Sequence, residues 1–381
     1  MKIQIGNKLR ANKIFAGDNE LPKVLASIGA SNLDNDFEEE LLKAKIAKKF
    51  GADIIIDHTL LPGYNELHKR LLESIDLPLS TIAVYDRAAD LNESKKYFTE
   101  EEALKGIEEK GKIGIDMLTI HASVRYEDLK YFNSSERIIP CTSRGGVMVL
   151  NNMRLTEKDN FYYTYFDDIV SIAKKYSITL SLGAVYRPAN IFDAVNNNSK
   201  YWEEIAINAY LAQKAVAQGV SVMIEGIGHC PINLIPEVVK KSKEISKVPY
   251  RVLTVATDCA LGFDHVSSAI AASTAVGAGA DFVTAVSRAE HLGLPNVEDL
   301  KEAVISAKIA AHAGYIARTG DLSADKMMAK ERSKTGCRGS VQASIIPELT
   351  KEELKRHKLT ESKKCTMCGK FCALSGGDEL K

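Results

Sequence analysis

The chain has 381 residues, with 50 basic and 50 acidic side chains and 45% hydrophobic residues. This length can hold one large domain with an appendage, and the balanced charge provides no field that would draw the protein to nucleic acid or to a membrane surface. No run approaches the roughly 20 apolar residues that a membrane-spanning helix needs, and the N-terminal MKIQIGNKLR lacks the apolar stretch of a signal peptide. We therefore expect a cytoplasmic protein with no nucleic-acid or membrane partner.

Short β-branched runs alternate with helical patterns from about residue 37 to residue 315. Near-continuous apolar runs of this kind are typical of strands that are buried on both faces. The predicted strands are Asp53–Asp57, Ser80–Tyr85, Asp116–His121, Arg137–Cys141, Ile178–Gly183, Ser221–Glu225, Arg251–Thr257 and Asp281–Val286. The predicted helices are Phe37–Phe50, Tyr64–Ser74, Glu100–Lys112, Phe161–Tyr176, Tyr201–Gln218, Pro236–Ile245, Val266–Ala278 and Val297–His312.

Strict alternation of eight strands with helices predicts an α/β protein with a (β/α)8 TIM-type barrel. A doubly wound open sheet is the alternative, but no GxGxxG follows the first predicted strand to favour it. We expect a short N-terminal segment at 1–36, the barrel at 37–315, and a helical C-terminal region at 316–381 that ends in a cysteine-containing tail.

Polar residues follow the predicted strands at nearly every carboxyl end, which is where TIM-type barrels carry their catalytic groups. The residues in these positions are Asp57 and His58, Tyr85 and Asp86, His121, Ser143-Arg144-Gly145-Gly146, Arg187, Glu225 to His229, Asp258, and Glu290-His291. Because polar residues follow all eight predicted strands at the same end, the sequence predicts an active site at this end of the barrel.

Two groups of these residues have a pattern that points to a particular chemistry. His229 and His291 are a candidate metal pair, since histidines on two loops can converge over a barrel mouth; the alternative is that each bonds only a neighbouring loop. The run from Ser143 to Gly146 can hold a phosphate or carboxylate through backbone N–H groups and a guanidinium, or it is a tight turn with a surface arginine. Arg187 is a second candidate anion contact.

The tail contains Cys365, Cys368 and Cys372 in CxxCxxxC spacing. An odd total of 7 cysteines is a poor disulfide framework, and three clustered thiolates suit a [4Fe–4S] cluster with one open iron. An open iron is what a radical enzyme needs in order to bind and cleave S-adenosylmethionine. A zinc clip is the alternative, with His357 as the nearby candidate for a fourth ligand.

A colinear set of motifs runs from about residue 24 to the end of the chain. The motifs are IGAS (28–31), TIH (119–121), SRGG (143–146), SLG…RP (181–188), IEG.GH.P (224–231), D..LG.DH..SAI (258–270), AEHLGLP (289–295) and CTMCG..C (365–372). In these motifs the chain resembles the ThiC family of radical S-adenosylmethionine enzymes. The resemblance implies a β/α barrel, a homodimer whose cluster tail reaches over the partner's barrel, an electron donor such as flavodoxin or ferredoxin, and 5-aminoimidazole ribotide as substrate.

The resemblance also implies roles for individual residues. It implies a divalent metal, zinc or iron, at His229 and His291, and a cluster on the three tail cysteines. It implies catalytic roles for Glu225 and His121. The substrate contacts implied are Tyr85, His121, Ser143, Arg144, Gly145, Arg187, Glu225 and Tyr250.

Several positions depart from the pattern of the family's thiamine enzyme. Ser27 replaces an Asn, Ile56 a Met, Ala184 an acid and Phe263 a Tyr, and the loop after the first predicted strand is 58–63, HTLLPG, in place of an STGGD-like sequence. These changes predict altered chemistry on a similar substrate. Our hypothesis from the sequence is a carbon–carbon lyase that forms 5-hydroxybenzimidazole for a cobamide, either alone or with a paired paralogue. The alternatives are phosphomethylpyrimidine synthase of the thiamine pathway and a non-catalytic nucleotide-binding paralogue.

Overall fold

The computed structural model describes residues 1–31, 36–92, 94–134, 136–335, 339–359 and 367. Its strands are β1 (Lys2–Ile5), β2 (Ile14–Gly17), β3 (Lys23–Ile28), β4 (Ile54–Asp57), β5 (Leu79–Ile82), β6 (Met117–Ile120), β7 (Thr179–Leu182), β8 (Val222–Glu225), β9 (Tyr250–Val252) and β10 (Phe282–Ala285). Its helices are α1 (Phe37–Lys49), α2 (Tyr64–Ser74), α3 (Ala83–Ala89), α4 (Glu100–Ile113), α5 (Leu129–Ser134), α6 (Arg144–Thr156), α7 (Phe161–Thr164), α8 (Phe166–Tyr176), α9 (Ile191–Asn196), α10 (Ser199–Ala217), α11 (Ile235–Ser246), α12 (Asp264–Gly277), α13 (Val297–Thr319), α14 (Ser323–Thr335) and α15 (Pro347–Arg356).

Strands β3 to β10 form a closed parallel barrel in which β10 pairs with β3 and closes the ring. Helices follow the strands and surround them, so the predicted (β/α)8 TIM-type barrel is confirmed. Strands β1 and β2 form a separate antiparallel hairpin. All carboxyl ends of the barrel strands therefore open at one face, where the active site of such a barrel is built.

One predicted strand is wrong. Arg137–Cys141 is a loop, in which the backbone N–H groups of Ile138 and Ile139 donate to the Asp193 carboxylate at 3.0 and 3.1 Å instead of to a neighbouring strand. Pro140 has no N–H to offer a sheet. The strand that completes the ring is β3, which pairs with both β10 and β4, so the barrel begins ahead of the predicted boundary at residue 37.

Local sequence signals explain where the helices begin and end. Helix α4 begins at a capping box in which the Thr99 hydroxyl accepts from the Glu102 N–H and the Glu102 carboxylate accepts from the Thr99 N–H. It ends at Gly114, whose φ of 105° is the left-handed geometry that glycine adopts without a steric penalty.

The barrel interior is filled with apolar side chains and is closed at its amino-terminal end. The interior cluster includes Leu25, Ile54, Met117, Met223 and Phe282, and Ile3 and Ile5 of the β1–β2 hairpin pack against it. A second, larger cluster lies between the strands and the surrounding helices. Because the hairpin covers the amino-terminal end of the barrel, the carboxyl-end face is the one left open to a ligand. Within the part of the chain that the structure describes, no helix is both long and apolar enough to cross a membrane.

Candidate functional site

A buried charge cluster lies at the carboxyl end of β8. The Glu225 carboxylate accepts from the Arg251 guanidinium at 2.6 Å, from Arg187 at 3.4 Å and from the Ser181 hydroxyl at 3.2 Å. Burial raises the pKa of Glu225, but Arg251 and Arg187 outweigh burial and hold this pKa at about 2. Glu225 is therefore a carboxylate at any physiological pH, and it can accept hydrogen bonds from a ligand.

His121 follows β6 and is held between two glycines. A Cβ added at Gly145 or at Gly183 would overlap the His121 ring, so only glycine lets the chain pass on either side of it. Burial lowers the pKa of His121 to about 4, which leaves the ring neutral. Its Nδ1 is buried and has no hydrogen-bond partner among the described residues, so this nitrogen is available to a ligand.

The segment from Ser143 to Gly146 forms the start of helix α6. The Ser143 hydroxyl caps the helix by accepting from the Gly146 N–H at 3.0 Å. Arg144 donates to the Tyr85 hydroxyl at 3.1 Å, and its guanidinium lies 5.0 Å from the centre of that ring. Tyr85 itself is on α3, not at the end of a strand as predicted, because β5 ends at Ile82.

His229 and His291 are brought together across the barrel mouth, with ring centroids 5.2 Å apart. His229 Nδ1 lies 2.6 Å from an Asp258 carboxylate oxygen, and His291 Nδ1 lies 2.8 Å from an Asp264 carboxylate oxygen. A carboxylate on Nδ1 fixes the tautomer of each ring and leaves Nε2 for a ligand, which is the arrangement seen around histidine-bound metals. Among the described residues, no group of three or more His, Cys, Asp or Glu side chains is gathered in a way that could hold a metal ion, so the two histidines stand as a pair without a third protein ligand from this part of the chain.

A cleft of about 700 Å³ opens over this face of the barrel, and we refer to it as the mouth cleft. Its lining includes Ser27, His58, Arg144, Thr284, Glu290 and His291. A cleft of this volume, with few polar groups converging on it, is typical of a small-molecule site.

Tyr250 does not lie in the mouth cleft. Its hydroxyl is 2.7 Å from the Tyr201 hydroxyl of α10 and accepts from the Ile227 N–H at 2.8 Å, and the side chain is fully buried behind the barrel wall. The contact of Tyr250 with substrate stays a prediction. Alternate residues of a strand face opposite sides, and the next residue, Arg251, is the one that points inward to Glu225.

A further residue that the sequence analysis did not single out supports the loop that carries Arg187. Glu204 of α10 is buried and accepts from the backbone N–H groups of Val185 and Tyr186 at 2.6 and 2.8 Å, and from the Ser123 hydroxyl at 2.6 Å. Burial raises the pKa of Glu204 to about 7. The signal in the sequence was an acid among the mostly apolar residues that recur at helical spacing in α10.

The positions that depart from the thiamine-enzyme pattern lie in different surroundings. Ser27 of β3 lines the mouth cleft. Ile56 is buried in the barrel interior, and Ala184 is buried in the loop after β7. Phe263 is largely exposed next to Asp264. The predicted cluster ligands Cys365, Cys368 and Cys372 lie outside the described residues.

Comparison with known proteins gives one family. The family model described as the radical SAM ThiC family matches residues 2–379. A phosphomethylpyrimidine synthase of Caldanaerobacter subterraneus subsp. tengcongensis is 39% identical over 365 residues, and one from Thermoanaerobacter sp. is 38% identical over 361 residues; each alignment covers 92% of this chain and 83% of the relative. A phosphomethylpyrimidine synthase of Archaeoglobus fulgidus is 37% identical over 358 residues with the same coverage. Among solved structures, a dihydropteroate synthase from Coxiella burnetii has a TM-score of 0.46 at 12% identity, over 81% of this chain and 97% of that one, which is too distant to inform function.

Proposed function

The chain belongs to the radical SAM ThiC family, and we propose that it rearranges 5-aminoimidazole ribotide to hydroxymethylpyrimidine phosphate. Membership implies an enzyme that uses a [4Fe–4S] cluster and S-adenosylmethionine. The product is supported by the relatives named phosphomethylpyrimidine synthase at 37 to 39% identity. The observation that carries the substrate proposal is the ionised Glu225 beside the neutral His121 at the barrel mouth.

The ribotide has an anionic end and a nitrogen-rich end, and the mouth offers a partner for each. We assign the phosphate to Arg144 with the Gly145 backbone at the start of α6, because guanidinium and helix N-terminal N–H groups are the usual phosphate donors. We assign the amino-imidazole end to the Glu225 carboxylate, which accepts N–H hydrogen bonds. Arg187 holds Glu225 in place and contacts the substrate between these two ends.

His121 is the residue that we propose for proton transfer. A group that is neutral at pH 7 and has an unpaired nitrogen can take a proton from substrate or return one to it. In the structure that nitrogen is Nδ1, and the glycines at 145 and 183 prevent the ring from turning away. Ser143 takes part indirectly, since its hydroxyl is used as the cap of α6, and Tyr85 orients Arg144.

The cluster would be held by Cys365, Cys368 and Cys372, in the C-terminal region 316–381. Three thiolates leave one iron open. With S-adenosylmethionine bound and an electron from a flavodoxin or ferredoxin, such a cluster would supply the 5′-deoxyadenosyl radical that begins the rearrangement. We propose that the enzyme is a homodimer in which this tail reaches the partner's mouth cleft, and that the reaction is of the carbon–carbon lyase class.

A divalent metal, zinc or iron, is proposed at His229 and His291. The residues fit such an ion because each ring is turned by its own aspartate so that Nε2 is the free nitrogen. Two histidine ligands would leave positions for water or substrate, as in catalytic zinc and iron sites. The metal would then supply a Lewis acid at the edge of the mouth cleft.

A second candidate product, 5-hydroxybenzimidazole, is favoured by one observation. The residues at positions 27 and 58, which depart from the thiamine-enzyme pattern, both line the mouth cleft. Substitutions on the cleft wall change the contacts that a bound substrate makes, whereas substitutions in the core between strands and helices would change only the stability of the fold. This candidate keeps the same substrate and the same radical initiation.

Product analysis tests these proposals together. The reconstituted protein is incubated without oxygen with S-adenosylmethionine, dithionite and the ribotide, and the products are identified by mass spectrometry. Hydroxymethylpyrimidine phosphate is the expected product, and 5-hydroxybenzimidazole with none of the pyrimidine would favour the second candidate. A reconstituted protein that binds the ribotide but forms no 5′-deoxyadenosine would instead be a non-catalytic paralogue.

A further inference from the structure

His58 lies in the mouth cleft in a backbone setting that fixes its position. It follows β4, and its N–H donates to the Ile28 carbonyl at 2.8 Å. The loop after β3 passes directly over it at Gly29, which has a φ of 149°, and a Cβ there would come within 2.7 Å of the His58 carbonyl carbon. The chain at His58 therefore has little freedom to shift.

The residues on either side of His58 are anchored by a buried polar network. The Asp57 carboxylate accepts from the Thr59 hydroxyl at 2.7 Å, and its other oxygen is 2.7 Å from His68 Nε2. Lys110 Nζ lies 2.9 Å from His68 Nδ1 and completes the network from the side of α4. Groups buried and paired in this way hold one geometry, because breaking a buried pair costs about 3–5 kcal/mol. The network places His58 and uses none of its side-chain nitrogens.

One ring nitrogen of His58, Nε2, is buried and lacks a hydrogen-bond partner among the described residues. The centre of the His58 ring lies 5.9 Å from that of Tyr85, and the two rings are tilted by 60°. A buried polar atom left unpaired costs about 1–3 kcal/mol, so a rigidly held one that lines a cleft indicates a position where a ligand completes the bond.

The charge state of His58 limits the kind of group it can meet. Burial, together with the charges of Arg144 and Arg251, lowers the pKa of His58 to about 3, although Asp57 and Glu225 act in the opposite direction. The ring is neutral at physiological pH, so it offers a single hydrogen-bond donor or acceptor at Nε2. Arg144, which lines the same cleft, is the partner for an anionic group of a ligand. A neutral imidazole is instead suited to an uncharged hydroxyl or amino group.

We propose that His58 is a specificity-determining residue whose Nε2 hydrogen-bonds an uncharged hydroxyl or amino group of the substrate in the mouth cleft. This inference rests on the proposed function, because it takes the ribotide as the molecule that occupies the cleft. In the ribotide the candidate groups are the two ribose hydroxyls and the 5-amino group. His58 also belongs to the 58–63 loop, which departs from the STGGD-like sequence of the thiamine enzyme.

The test compares binding of the ribotide and of its 2′-deoxy, 3′-deoxy and desamino analogues to the reconstituted protein by calorimetry. His58→Leu is expected to weaken ribotide binding about 10- to 100-fold, because it removes one hydrogen bond and leaves its partner unpaired. His58→Gln, which keeps a hydrogen-bonding group, is expected to stay within about fivefold of the wild type. His312→Leu, on helix α13 and paired with Asp325 outside the site, is the matched control and is expected to bind as the wild type does.

The analogues separate a contact from a structural effect. The wild type should discriminate against one of the three analogues, and His58→Leu should lose that discrimination while it still binds S-adenosylmethionine and melts at the wild-type temperature. Equal ribotide binding by His58→Leu and the wild type would overturn the inference and leave the proposed function standing. If His58→Leu lost the same factor of affinity for the ribotide and for every analogue, the inference would also be overturned, since a uniform loss indicates a structural role. Failure of the wild type itself to bind the ribotide would overturn the inference and the proposed function together.

Discussion

Replacing Glu225 by alanine removes the carboxylate that balances Arg251 inside the barrel mouth. The two groups are 2.6 Å apart, and their side chains are only 10% and 5% exposed. Removing one partner of a buried pair leaves an uncompensated charge, which costs about 3–5 kcal/mol. We therefore expect E225A and R251A each to lower the free energy of unfolding by about this amount, a large share of the 5–15 kcal/mol that a typical domain has.

The double variant E225A/R251A is the decisive member of this set. The double variant has lost both charges, so its loss in free energy of unfolding should be well below the sum of the losses in the two single variants. We expect a coupling energy of about 2–3 kcal/mol, since contacting groups couple in this range. Urea unfolding followed by circular dichroism measures all three. The exposed pair Lys49–Glu352, at 2.7 Å, is the matched control, and E352A should cost less than about 1 kcal/mol. Additivity of E225A and R251A within about 0.5 kcal/mol would refute the assignment of a buried, coupled cluster.

Three further outcomes are expected. Asp258→Asn should weaken metal binding about 10- to 100-fold through loss of the orienting contact to His229, measured by competition with a chromogenic chelator, and unchanged affinity would count against the metal pair. Gly145→Ala should lower stability by about 1–3 kcal/mol and weaken ribotide binding because the new Cβ overlaps the His121 ring; wild-type behaviour in both assays would show that the ring is free to move. The pKa of His121 is lowered to about 4 and that of His58 to about 3, from 6.5, so the unfolded state takes up these protons first, and the contribution of the two histidines to stability should be full above pH 6.5 and fall steadily towards pH 4. The fall should be shallower in His58→Leu in pH-dependent thermal melts, and an identical slope in that variant would contradict the neutral assignment.

The barrel itself could be predicted because its signal is repeated along the chain. Seven of the eight predicted strands overlap strands of the structure, and the alternation with helices is correct. The error at Arg137–Cys141 arose because an apolar run of strand-like residues was counted without regard to Pro140. The missed strand β3 has the same apolar character but lies ahead of the first helix, where the strand–helix alternation was not yet apparent.

The site could be predicted by position but not by orientation. The residues after each strand were expected to meet; Glu225 meets Arg187, and His229 meets His291. Which of Tyr250 and Arg251 points inward depends on the phase of a three-residue strand, and no pattern in three residues defines that phase. The neutral state of His121 depends on burial by residues distant in sequence, so it required the structure.

Transfer of a hydrogen atom from the ribotide to the 5′-deoxyadenosyl radical, which yields 5′-deoxyadenosine, tests the central claim most directly, because the same protein must bind the substrate in the mouth cleft and make the radical. The reconstituted wild type is given ribotide deuterated throughout its ribose, and the 5′-deoxyadenosine formed is analysed by mass spectrometry. We predict deuterium in the 5′-deoxyadenosine of the wild type, and its loss in Glu225→Gln and in His121→Leu. Unlabelled 5′-deoxyadenosine from the wild type, formed at the same rate with or without ribotide, would contradict the account.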